Sequence, residues 1–194
     1  MNTKQVFETI FSGNLWGGRE SRSGTGSDMC ETENIRRELP MLFARLNIAS
    51  LLDIPCGDLN WMRHCDLSGI DYIGADIVPA AIERAISNTC HMKARCLIIS
   101  ELDLINDSLP RVDAIFCRDC LGHLPEADVL KALENVKQSG AKYFISTHWP
   151  KRGNIDCHTG GWRPINLAIA PYNLGEPLET IIDNGEKTLG VWEL

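Results

Sequence analysis

The chain has 194 residues, 44% hydrophobic and 23% charged, a balance that fits one folded globular unit and excludes disordered, collagenous and fibrous classes. Nineteen basic against 26 acidic residues leave a formal charge of -7, a poor footprint for a polyanion, so a small-molecule substrate is expected and no nucleic acid. No stretch approaches the roughly 18 apolar residues of a membrane span, the start lacks a secretory layout, and the 8 cysteines scatter as small core hydrophobes do in a reducing compartment; a cytoplasmic protein without a membrane or metal partner is expected.

The first thirty residues are the least regular. They end in Glu20-Ser21-Arg22-Ser23-Gly24-Thr25-Gly26-Ser27, whose glycines and hydroxyls favour a loop, so the segment reads as an arm or lid. Ile35, Leu39, Leu42 and Leu46 recur at helical spacing from Glu31 to Asn47 with acids in the first turn, and Pro40 is expected to bend that helix. From Ser50 the pattern changes. Ser50 to Ile54, Asp71 to Ala75, Arg95 to Ile99, Val112 to Cys117 and Lys142 to Ser146 read as strands, most of them apolar on both faces. Between them, Pro79 to Ser87 and Glu126 to Gln138 read as helices, the first with proline at its start and the second with Val129, Leu130, Leu133 and Val136 on one face before Gly140. This alternation predicts an α/β fold, a doubly wound and mostly parallel sheet. Beyond His148 a loop rich in Gly, Asn and Pro runs to Gly175. Leu178 to Asp183 and Thr188 to Leu194, joined across Asn184-Gly185, then predict an antiparallel C-terminal hairpin. The expected division of the single domain 1–194 is an arm and helix over 1–49, a ligand-binding core over 50–147, and a substrate-side loop and hairpin over 148–194.

Ligands of such sheets bind beyond the carboxyl ends of the strands, so the residues that follow each strand carry the chemistry. Asp53-Ile54-Pro55-Cys56-Gly57-Asp58 follows the first strand with one glycine where a dinucleotide site needs three, which disfavours a pyrophosphate cradle and a dehydrogenase. Asp76 ends the second strand, where a carboxylate can accept both hydroxyls of a ribose or cap the helix that starts near Pro79. Asp103 follows the third, either at an adenine edge or as a solvated loop acid.

These stretches resemble the class I S-adenosylmethionine-dependent methyltransferases. Leu51 to Asp58 looks like the first motif of that family, a strand followed by D-x-G-x-G-x-G, with the middle glycine kept as Gly57 and with Pro55 and Leu59 in place of the outer two. By the same resemblance Asp76 matches the ribose-binding acid, Asp103 the adenine-side acid, Phe116 to Leu124 the motif after the fourth strand, and the hairpin the antiparallel seventh strand, so the likeness runs from Ser50 to Leu194. Trp61-Met62, Cys117-Arg118-Asp119-Cys120 and Gly161 to Leu167 further resemble a bacterial subgroup of small methyltransferases, often of unassigned substrate, in which the Ser23 to Ser27 loop belongs to the active site. The resemblance implies S-adenosylmethionine as cofactor. It implies a cofactor site built from Asp53, Pro55, Gly57, Asp76, Ile77, Asp103, Leu104 and Arg118, with Trp16 and Arg22 contributed by the arm.

Methyl transfer from a sulfonium is an in-line displacement that mainly needs alignment, and an acceptor that carries a proton also needs a base. His123 suits that task near neutral pH, and Asp119 is the second candidate, as base or as an orienting partner. His148, Asp156, Trp162 and Arg163, beyond the fifth strand, are expected on the substrate side, His148 and Asp156 as the alternatives for the base, Arg163 for an anionic group and Trp162 for a ring. An oxygen acceptor on a sugar or a phosphorylated capsule precursor is the expected substrate by analogy. Two other classes compete: a thiol redox protein using Cys117 and Cys120, and a non-catalytic nucleoside-binding regulator.

Overall fold

The computed structural model describes residues 1–194, apart from the His91 side chain. Seven strands form one sheet in the order β3-β2-β1-β4-β5-β7-β6. β1 (Ser50–Asp53), β2 (Asp66–Asp76), β3 (Lys93–Glu101), β4 (Ala114–Cys117) and β5 (Tyr143–His148) run parallel, while β7 (Lys187–Glu193) lies antiparallel between β5 and β6 (Glu179–Asn184). This is the doubly wound sheet with an antiparallel C-terminal hairpin that the alternation of apolar runs predicts. The order reverses at β1, so the tips of β1 and β4 diverge and open the crevice where such sheets bind ligands.

Period-two alternation along the strands feeds two cores, one on each face. Leu51, Tyr72, Phe116, Ile145 and Val191 face α2 (Glu33–Arg45) and meet its Ile35, Leu39, Leu42 and Phe43. Their neighbours Leu52, Ile115 and Phe144 face the other way and meet Val129, Leu133 and Val136 of α4 (Glu126–Gln138). The helix α2 continues through Pro40. A third, smaller cluster joins Phe11 to Val78 and Ala81 at the start of α3 (Pro79–Asn88).

The first thirty residues are more regular than the sequence reading expects. Thr3–Ser12 forms a helix, α1, closed at its start by a capping box in which the Asn2 side chain accepts from the Gln5 backbone N–H and the Gln5 side chain accepts from that of Asn2. Among the described residues no helix is long and apolar enough to cross a membrane, and no group of three or more His, Cys, Asp or Glu side chains is placed to hold a metal ion.

Candidate active site

β1 delivers Asp53 to the crevice as a nearly dry carboxyl, 3% exposed, that accepts a 2.5 Å hydrogen bond from the Tyr72 hydroxyl. Burial pushes its pKa up to about 7, against the pull of the Tyr72 hydrogen bond. The chain then turns through Pro55 and Cys56 to Gly57, whose φ of +57° suits glycine and whose added Cβ would stand 2.3 Å from the Ser23 hydroxyl oxygen. The Gly57 N–H donates to Asp76 at 3.0 Å, and the Val78 N–H donates to the other oxygen of the same carboxylate at 2.9 Å. Asp76 therefore fastens the turn after β1 to the start of α3 while it faces the crevice, and burial lifts it to about 6.

These two raised carboxyls carry a stability signature. A carboxyl that holds its proton more tightly when folded stabilises the fold at acid pH, and that contribution is lost as the pH climbs from the ordinary 3.8 through about 6 for Asp76 and about 7 for Asp53. Asp53→Asn removes one of the two, so the Tm of the variant is expected to fall less than that of the parent between about pH 5 and pH 7.5, a comparison calorimetry makes directly.

The tip of β4 holds a buried charge network. Arg118 donates from Nε and one terminal nitrogen to both oxygens of Asp183, at 2.9 and 3.0 Å, and its side chain is 4% exposed against 0% for Asp183. The same guanidinium reaches the Gly26 carbonyl at 2.8 Å and lies 3.3 Å from Asp119. Lys187 closes the ring, 2.9 Å from Asp119 and 3.2 Å from Asp183. Asp119 takes a left-handed φ of +49°, and its backbone N–H donates to the Thr147 hydroxyl at 2.8 Å. Although burial works the other way, Arg118 and then Lys187 hold its carboxyl down to about 2. Arg118→Met takes from the buried Asp183 its two-pronged partner and leaves it only Lys187 at 3.2 Å, and a loss of roughly 3 kcal/mol in urea unfolding is expected.

His123 follows on a short 3-10 turn. Its Nδ1 lies 2.6 Å from the Gly161 carbonyl oxygen, which can only accept, so in the neutral ring Nδ1 carries the hydrogen and Nε2 keeps its lone pair. Burial shifts the imidazole below its usual pKa, and its ring stacks on Trp16 with centroids 4.7 Å apart.

The arm roofs the crevice because core residues hold it there. Asp58, 3% exposed, accepts from the Ser21 hydroxyl at 2.7 Å and from the Arg22 N–H at 3.1 Å, Asn60 donates to the Ser27 carbonyl at 2.9 Å, and Arg118 holds Gly26. One continuous cavity results. Leu102, Asp103, Leu104 and Ile105 line one end, Asp76 and Ile77 the middle, and Asp53, Pro55, Gly57, Arg118, Asp119, Cys120 and His123 the other, with Phe7, Trp16, Ser23 and Ser27 from the arm.

Five sequence-predicted residues lie outside that lining. Arg22 turns back on α1 and donates to the Ser12 carbonyl. His148 is buried edge-on against Trp192, and its Nδ1 accepts from the Leu167 N–H. Asp156 accepts from the Glu126 and Cys157 backbone N–H groups and so caps α4. Arg163 is 1% exposed and spends its guanidinium on the Leu124 carbonyl, the Tyr172 hydroxyl and the Cys157 sulfur. Trp162 stands 62% exposed beside Trp149. Among the redox candidates, Cys117 is sealed in the core, its thiol pushed well up by contact with Cys120 and by burial.

The sequence reading misses Asp58, Asp183 and Lys187. Asp183 could have been found, since it stands two residues from Ile181 on the same buried face of β6 and a charge on an inward face implies a partner.

Residues 52–140 match the family described as a methyltransferase domain. That match spans less than half of the chain, and with the structural neighbours that follow it gives the chain the domain and fold of a class I S-adenosylmethionine-dependent methyltransferase. In fold, the methyltransferase resembles magnesium protoporphyrin IX methyltransferase from Synechocystis PCC 6803 with bound SAM, at 15% identity and a TM-score of 0.67 over 100% of this chain and 96% of that one. It also resembles an S-adenosylmethionine-dependent methyltransferase from Clostridium acetobutylicum ATCC 824, at 13% identity and a TM-score of 0.63 over 100% and 99% of the two chains. Human N-acetylserotonin methyltransferase in complex with SAM is a further neighbour, at 14% identity and a TM-score of 0.61 over 81% and 51%. No curated protein matches the chain in sequence.

The domain match and the neighbours solved with bound SAM make S-adenosylmethionine the cofactor against which the cavity is compared. The cavity fits it. An apolar end, a buried carboxylate midway that can take a diol, and acids toward the far end suit a nucleoside joined to a cationic chain, whereas Arg118, the only lysine or arginine on the lining among the described residues, is already paired, which suits no pyrophosphate.

Proposed function

We propose that this methyltransferase carries the methyl group to an oxygen nucleophile of a small acceptor and that His123 takes the proton the acceptor loses. The observation that carries the reading is the 2.6 Å contact between His123 Nδ1 and the Gly161 carbonyl, which fixes the tautomer and leaves Nε2 as a lone pair on a ring that lines the cavity. Asp119 does not share that task. Two cations keep it ionised far below neutral pH, so it has no useful affinity for a proton at pH 7, and its charge instead favours the imidazolium form of His123.

When bound, S-adenosylmethionine supplies a methyl carbon already activated by positive sulfur; the chain supplies alignment and a dry site. Asp76 and Ile77 would hold the ribose, Asp103 and Leu104 the adenine end, Pro55 and Gly57 the turn beside it, and Asp53 and Ser23 the amino-acid end. Trp16 closes the cavity from the arm and faces His123, which excludes water where transfer takes place. Isothermal titration with S-adenosylmethionine and S-adenosylhomocysteine, with NAD as the control ligand, tests the reading. Micromolar binding of the first two without NAD is expected, and binding of NAD alone would overturn it.

A further inference from the structure

The acceptor end of the cavity carries a charge pattern that selects among substrates. Arg118 is the only lysine or arginine on the lining among the described residues, and Lys187 is in contact with the lining residue Asp119. Both are committed: Arg118 to Asp183, the Gly26 carbonyl and Asp119, and Lys187 to Asp119 and Asp183. Two cations and two carboxylates leave the network neutral and supply no spare positive charge. The next arginines in the chain's site region, Arg22 and Arg163, are turned to the Ser12 and Leu124 carbonyls. What remains for a ligand is the Trp16 ring, the neutral His123 imidazole with one free lone pair, and the Asp119 carboxylate.

We infer that the acceptor is an uncharged ring compound bearing a hydroxyl, and that the site excludes acceptors carrying a phosphate or carboxylate. The inference rests on the methyl-transfer reading and deepens it. An anion would lie against Asp119 with no unpaired side-chain cation to offset the repulsion, and would also lose its hydration in a largely apolar cavity. A hydroxyl donates one hydrogen bond to the single acceptor that His123 offers, and a ring finds an aromatic wall. This departs from the phosphorylated acceptor expected by analogy from the sequence.

Matched ligand pairs test it on protein saturated with S-adenosylhomocysteine: phenol against phenyl phosphate, benzyl alcohol against benzoate, and glucose against glucose 6-phosphate, each titrated by ligand-observed NMR. In at least one of the two aromatic pairs the uncharged member is expected to bind about tenfold or more tightly than its anionic partner. Equal or tighter binding of the anionic member, binding confined to the sugar pair, or no binding of any member would each overturn the inference. The preceding titration with S-adenosylhomocysteine reads the parent proposal separately. Were it to fail, the pairs would be compared on the unliganded protein, and the two failures would stay distinct.

Discussion

Asp76→Ala is expected to weaken S-adenosylhomocysteine binding by about 100-fold or more, the largest loss of affinity from any single change at this site. Two effects add. A buried carboxylate that accepts hydrogen bonds from a ligand diol contributes on the order of 3 kcal/mol when its partners are left unmade. The same carboxylate also takes the Gly57 and Val78 N–H groups, so alanine releases the turn after β1 and the first turn of α3 together. Asp76→Asn separates the contributions, because one amide oxygen can still accept from Val78 while the amide nitrogen faces the Gly57 N–H as a second donor. An intermediate affinity is expected for Asn and the full loss for Ala, with the fold of each checked by circular dichroism. Unchanged affinity in a folded Asp76→Ala protein would remove the ribose assignment.

The second large effect concerns rate rather than affinity. His123→Ala is expected to keep S-adenosylhomocysteine binding within a few-fold while methyl transfer slows by about 10²–10⁴-fold, the usual contribution of a positioned base. The pH dependence gives an independent readout. The base works as neutral imidazole, and burial holds its pKa below 6.5, so the parent rate should be flat above neutral pH and fall on the acid side below that value. The alanine variant should lose that acid limb. A variant at full rate with the limb intact would return the proton to water or to another group.

Much of this architecture was legible because it follows from repeat distances. Glu126 to Gln138 was readable as α4 to the residue, since four apolar side chains at helical spacing end before Gly140, and the hairpin was readable from Asn184-Gly185 between two apolar runs. The helix α1 was not, because the glycines downstream dominate the impression of the arm. Asn2 and Gln5 form a capping box and Phe7 and Phe11 share a face, and both signals lie in a segment too short to show a long apolar stripe. At the site, residues directly after strand tips were placed well by topology, as Asp53, Asp76 and Asp119 show. Residues in the long loop beyond β5 were not. Nothing in the local sequence distinguishes a histidine beneath Trp192 from one facing a ligand, or an arginine that braces three loops from one that binds an anion. Those outcomes depend on contacts between distant segments, which one dimension does not carry.

The roof over the cavity has a kinetic consequence. Its underside is fastened through Asp58 and Asn60, which lie next in sequence to the lining residues Gly57 and Trp61, and through Arg118, itself on the lining, so loosening the roof disturbs the surfaces that grip the ligand. Uptake of the donor and release of the spent nucleoside would therefore draw on the same displacement of the arm, which makes residence of the product an expected limit on turnover.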